Sequence, residues 1–174
     1  MSLPIIIYTD GAALGNPGPG GYGAVMMHAE HRKELSGGFR RTTNNRMELL
    51  AVIMALKHIK TPGLSIQVYT DSKYVCDAIE KKWLFGWKAK GWKKVKNVDL
   101  WQTFLGQYEI HKPKFYWVKG HAGIKENERC DVLATTAAQS KPTDIDVNYE
   151  RYEQEAKASE GLDLQYMMGV ELRH

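Results

Sequence analysis

Two short β-branched runs, Ile5-Ile6-Ile7-Tyr8-Thr9 and Ser65-Ile66-Gln67-Val68-Tyr69-Thr70, each stop at an aspartate, Asp10 and Asp71. Between them lies a long stretch without Gly or Pro, Arg46 to Ile59, rich in Leu, Met and Ala. Strand, helix and strand in that order require an α/β arrangement in which strand ends carry carboxylates. Thr43-Asn44-Asn45 supplies N-cap chemistry for the helix, Glu48 falls in its first turn, and Pro62-Gly63 ends it. Its apolar residues spread round most of the circumference, which requires burial on more than one side.

The segment Gly11 to Gly23 holds six glycines and two prolines, and is expected to be a loop with special backbone angles. Ala24 to Arg41 stays open between a helix and the two strands of a hairpin. Lys73 to Glu80, Asp99 to Ile110 and Asn127 to Ala138 read as helices, the last carrying Asp131, and Phe115 to Val118 reads as a strand. Composition shifts once, near Ser140-Lys141-Pro142. Residues 1–139 carry 20 Lys/Arg and 12 Asp/Glu, whereas residues 140–174 carry 4 and 8. One basic domain is therefore expected, followed by an acidic tail, and a basic body favours a polyanionic partner. The apolar stretches are too short to span a bilayer. With only Cys76 and Cys130, a disulfide scaffold and a Cys-rich zinc module are excluded. The opening MSLPIIIYTD shows no signal peptide, so a cytoplasmic address is expected.

Four acids stand out by position: Asp10, Asp71, Glu48 and Asp131. Carboxylates packed together repel and partly protonate unless a hard divalent cation compensates them. A pair of Mg²⁺ ions about 4 Å apart would make such a cluster an in-line phosphoryl-transfer site. Each acid taken singly reads as a turn residue or a helix cap, so the functional reading rests on the set. Gly18-Pro19-Gly20-Gly21-Tyr22-Gly23 satisfies the spacing GxGxxG, but its prolines and the lack of an acid between Leu35 and Met47 exclude a dinucleotide site. No nucleophile elbow or phosphate-binding loop occurs. Lys81 to Lys96 contains seven lysines and no acid, with Trp83, Trp87, Trp92 and Phe85 interleaved. It reads as a nucleic-acid handle, with Lys88, Lys90, Lys93 and Lys94 tracking phosphates beside Trp83 and Trp92. The three Trp also suit anchoring a protruding helix to the body, with lysines as its wet face, and both readings are expected to hold together.

These residues fall within strings that resemble ribonuclease H type 1, the bacterial ribonuclease HI family. The strings are Thr9-Asp10-Gly11 through Asn16 to Gly23, Arg41 to Leu49, Thr70-Asp71-Ser72, Gly91-Trp92-Lys93, Val95 to Trp101, Trp117 to Gly123 and Asn127 to Asp131. The resemblance implies a five-stranded mixed sheet with helices on both sides, which makes Ala24 to Arg41 a hairpin. It implies hydrolysis of the RNA strand of RNA/DNA hybrids to 3′-hydroxyl and 5′-phosphate ends. Asp10, Glu48, Asp71 and Asp131 would hold two Mg²⁺ ions (or Mn²⁺), and His121 would shuttle protons or aid product release. Asn16, Asn44 and Asn45 would contact nucleic acid, Gly11 and Glu48 would face RNA 2′-hydroxyls, and Arg41, Thr43 and Asn97 would grip a phosphate of the DNA strand. A monomer is expected. The competing readings are a non-catalytic hybrid-binding module and a DNA nuclease or strand-transfer enzyme on the same fold. Residues 140–174 have no counterpart in these strings. The alternation of Ile145, Val147 and Tyr149 suits an extended piece docked on the body and Glu150 to Glu160 a short polar helix, against a frayed acidic terminus.

Overall fold

The computed structural model describes residues 2–168, so the last six residues of the acidic tail lie outside the described residues. In chain order the elements are β1 Ile5–Ala13, β2 Gly18–His28, β3 His31–Thr42, α1 Asn44–Lys57, β4 Ile66–Thr70, α2 Lys73–Glu80, α3 Trp83–Ala89, α4 Val98–His111, β5 Lys114–Trp117, α5 Lys125–Gln139 and α6 Val147–Met167. The strands form one mixed sheet in the order β3-β2-β1-β4-β5. β1 runs antiparallel to β2 and parallel to β4. The expected α/β architecture is present, with Ala24 to Arg41 in the β2–β3 hairpin.

The glycine-rich segment is not a loop. β1 continues through Asp10 to Ala13 and β2 begins at Gly18, and within the short connection only Gly15 has a positive φ, +67°. The other glycines serve packing: a Cβ at Gly21 would lie 2.4 Å from the Ala134 carbonyl oxygen, and one at Gly23 2.6 Å from that of Cys130. α5 therefore rests directly on the backbone of β2, which is why residues of low strand propensity form a strand here. Asp10 is consequently mid-strand rather than at a strand's end. Its position is still special, because β1 pairs with β4 only as far as Thr9 opposite Thr70. Asp10 and Asp71 are the next residues, where the two parallel strands part.

The main core fills the other face, where Ile7, Ala24 and Val68 meet Leu49, Val52, Ile53 and Leu56 of α1 and Trp101 and Phe104 of α4. α1 lies between the sheet and α4 and is buried nearly all round, as its apolar distribution requires. Thr43 caps it, Oγ1 accepting from the Arg46 N–H at 3.3 Å. The helix begins at Asn44, two residues earlier than expected, so Glu48 falls in the second turn rather than the first. Among the described residues no helix is long and apolar enough to cross a membrane.

The first part of the C-terminal segment lies on the body, the Arg40 N–H donating to the Asp144 carbonyl at 2.8 Å, but not through its apolar alternation as a whole. Ile145 and Val147 are 45% and 66% exposed, and only Tyr149 is half-buried, beneath the Arg46 guanidinium. The helix that follows spans 21 residues, well beyond Glu150 to Glu160. What fastens it is Asp146, buried between elements, which accepts from Arg46 Nε at 2.7 Å and from Thr42 Oγ1 at 2.8 Å and caps α6 through the Tyr149 N–H. Arg46, 1% exposed, places every guanidinium donor: Nε and Nη2 on Asp146, Nη2 and Nη1 on Asp99, and Nη1 on Asn97 Oδ1. A buried cation must be paired, and one carboxylate cannot serve all five donors. Arg46→Met would leave Asp99 and Asp146 without their counter-charge. It should lower unfolding free energy by about 3 to 5 kcal/mol in urea titration, and a loss within the scatter of ordinary surface substitutions would show that the network does not hold the segment.

Candidate active site

Helix α1 crosses β1 so closely that a Cβ at Gly11 would lie 2.3 Å from the Glu48 backbone nitrogen and 2.4 Å from the Met47 carbonyl carbon. Only glycine permits that approach. It delivers Glu48 from one face of the sheet to Asp10 on β1, while the parting of β1 and β4 delivers Asp71. One oxygen from each of Asp10, Glu48 and Asp71 lies within 4.8 Å of the other two. Asp10 and Glu48 are buried and Asp71 half-buried. The Gly11 N–H donates to Asp10 Oδ1 at 2.9 Å, whereas Glu48 Oε2 is buried with no hydrogen-bond partner among the described residues.

Electrostatics follow from the crowding. Burial, then the charge of Asp71, pushes the Asp10 carboxyl up to about 7. Burial, then Asp10, pushes Glu48 well above the ordinary carboxylate range. Burial also raises Asp71, with Asn127 and His121 pulling the other way. An all-oxygen donor set, crowded and with an unpartnered buried oxygen, suits a hard divalent cation and offers nothing to a soft one.

Asp131, half-buried on α5, is near enough to raise Asp10 further, but stands outside the set of three. His121 lies exposed in the loop before α5 with φ 54°. Asn127 was not singled out by sequence reasoning. It is 2% exposed and favours the charged form of Asp71, and its place four residues before Asp131 on one helix face was the available signal. Trp117 Nε1 also donates to the Asp71 carbonyl at 3.0 Å.

Of the residues expected to touch nucleic acid, Asn16, Thr43, Asn45 and Asn97 share one groove. Asn16 Oδ1 accepts from the Asn44 N–H at 2.9 Å, tying the β1–β2 connection to the start of α1. Asn16, Thr43, Asn45, Lys96 and Asn97 line a groove of about 690 Å³, closed on its far side by Tyr149, Tyr152 and Glu153 of α6. Arg41, at the end of β3, is paired with Glu153. In the basic stretch Trp87 packs edge-on against Trp101 at 5.3 Å, and Trp92 also packs on the core. Trp83 and Phe85 are exposed, as are Lys88, Lys90, Lys93 and Lys94, with Lys88 3.2 Å from Glu109. The aromatics thus divide between anchoring the stretch and presenting flat surface to solvent.

The family model for RNase H matches residues 3–139. The Ribonuclease H of Desulforamulus reducens is 56% identical over 148 residues, 82% of this chain and 92% of that protein. That of Aeromonas hydrophila is 54% identical over 155 residues, covering 86% and 99%. Among solved structures, LC9-RNase H1, a type 1 RNase H with the type 2 active-site motif, superposes with a TM-score of 0.73 at 32% identity, over 81% of this chain and 74% of that one. LC11-RNase H1 in complex with RNA/DNA hybrid gives 0.58 at 29%, over 78% and 96%. With the matched span taking in the sheet, the carboxylate cluster and the loop of His121, the chain belongs to the RNase H family.

Proposed function

We propose that the chain is an endonuclease that hydrolyses the RNA strand of RNA/DNA hybrids, leaving 3′-hydroxyl and 5′-phosphate ends. The observation that carries this reading is the buried cluster of Asp10, Glu48 and Asp71 with its unpartnered Glu48 oxygen. Those three residues would hold divalent cations, Mg²⁺ in this reading, with Asp131 supporting from α5. Mg²⁺ held by these carboxylates would supply Lewis acidity for activating water and for stabilising a leaving oxygen.

The remaining roles belong to the chain's own groups. His121, exposed and close enough to Asp71 for its charge to be felt, can take or give a proton at the edge of the cluster. Asn127 holds Asp71. Gly11 and Glu48 face the 2′-hydroxyls that distinguish RNA from DNA, and Arg41, Thr43 and Asn97 meet a phosphate of the paired DNA strand. Recognition through backbone and shape predicts little sequence preference. In this reading residues 1–139 form the catalytic domain and residues 140–174 an acidic appendage. In the same reading the protein acts as a monomer. Its two free, buried cysteines suit the reducing cytoplasm. A binding module without activity has no use for a costly cluster of buried acids, and a DNA nuclease has none for the 2′-hydroxyl contacts.

Asp10→Asn removes a ligand but no core packing, so cleavage of a labelled RNA/DNA hybrid should vanish at every Mg²⁺ concentration while hybrid binding persists. Turnover by the purified variant, free of host nuclease, would overturn the carboxylate assignment. His121→Ala should slow hybrid cleavage without abolishing it, by at most about 10²- to 10⁴-fold, and wild-type turnover in that variant would return His121 to an ordinary surface loop.

A further inference from the structure

The body contributes uncharged donors and a lysine to the groove beside α1: Asn16, Thr43, Asn45, Lys96 and Asn97. The carboxylate in the groove comes from α6. Glu153 Oε1 and Oε2 accept from Arg41 Nε and Nη2 at 2.8 and 2.9 Å, and the Tyr149 hydroxyl donates to the same Oε2 at 3.0 Å. The Arg41 hydrogen bonds hold the Glu153 carboxyl down at about 2, so it is anionic at any working pH. A guanidinium that clasps a carboxylate through two parallel N–H bonds clasps a phosphate diester in the same way. Arg41 is therefore occupied by the chain's own anion, a carboxylate that itself lines the groove together with Asn45, one turn of α1 before Glu48.

The strength of this closure is limited. No residue of α6 is buried, and the Arg41 and Glu153 side chains are 42% and 19% exposed. The helix is fixed at its start, where Asp146 bonds Arg46, Asn148 donates to Asp99 and Glu150 pairs with Arg40. A polyanion that engages several cations at once can displace a single half-exposed ion pair, whereas an isolated phosphate cannot.

We propose that Glu153 stands in for a substrate phosphate on Arg41, so that α6 is a built-in competitor which nucleic acid must displace to enter the groove. This rests on the reading of the chain as a nuclease acting on a nucleic-acid duplex. Glu153 thereby sets how tightly a duplex must bind before it is admitted, and favours duplexes long enough to reach the lysines of the basic stretch as well.

The test uses the full chain as wild type, Glu153→Gln, Arg41→Gln and the double variant, with Glu150→Gln as a charge-matched control that pairs with Arg40 instead. KM and kcat are measured on a fluorescent RNA/DNA hybrid at low salt and at about 1 M salt, where the Debye length is about 3 Å, and Tm is recorded for each. Glu153→Gln should lower KM about two- to fivefold at low salt, the size that one half-exposed ion pair supplies, with kcat little changed. The gain should vanish at high salt and in the Arg41→Gln background, and Glu150→Gln should show a smaller one. Glu153→Ala repeats the comparison should Gln retain the helix through a neutral hydrogen bond. An unchanged or raised KM in both Glu153 variants at native Tm would overturn the proposal, as would a gain that persists without Arg41. If the wild type does not cleave the hybrid, the nuclease reading fails, and fluorescence anisotropy with the same hybrid still decides whether Glu153 competes for Arg41.

Discussion

The site depends on one close approach, helix α1 passing over Gly11 of β1 with no room for a side chain. That contact drives Glu48 into the space where β1 and β4 part, and forces three carboxylates into one partly dry volume. At an effective dielectric of 20, two like charges about 5 Å apart repel by about 3 kcal/mol. The fold tolerates this because α1 is clamped elsewhere: its body is buried between sheet and α4, and its first turn is fixed by the Thr43 cap and by Arg46 on Asp99 and Asp146. The strain of crowding is thus local, and proton uptake relieves it when no cation does.

Much of this was legible in the residues. Two strands meeting aspartates, with a Gly-free helix between them, gave the fold class and three of the acids, and the family strings gave the hairpin that propensity alone left open. What stayed hidden has physical causes. The glycines of β2 are selected by the backbone of α5 lying against them, so local composition reads as a loop where long-range packing makes a strand. The docking of the C-terminal segment through Asp146 depends on a guanidinium 100 residues earlier in the chain, which no local pattern of Ile145, Val147 and Tyr149 encodes. Asp131 was grouped with the other acids by its place in a late helix and by motif, and that helix brings it near enough to act on Asp10 but leaves it outside the set of three.

Two arginines near the hairpin's end handle α6 in opposite ways. Arg46, buried and fully bonded, makes a permanent joint, since breaking it would strand charge in the interior. Arg41, half-exposed, makes a joint that water and salt can weaken. The same acidic helix is therefore fastened at its first turn and releasable at its second, beside a groove lined by the start of α1. A segment outside the family match can in this way act on the shared site without contributing a ligand to it.

Thermal stability as a function of pH, in EDTA and in Mg²⁺, for wild type and Asp10→Asn, tests most directly whether the buried acids are built for a divalent cation. Asp10 rises from its ordinary 3.8 to about 7 on folding. The metal-free folded state therefore binds more protons than the unfolded chain between those values, and its stability should fall as pH rises through that window. Mg²⁺ should raise Tm strongly above pH 7 and weakly near pH 5, where protons already occupy the cluster. Asp10→Asn should flatten the EDTA profile and lose most of the Mg²⁺ response. Wild-type Tm values that do not respond to Mg²⁺ at any pH, or a response left intact in Asp10→Asn, would contradict the account.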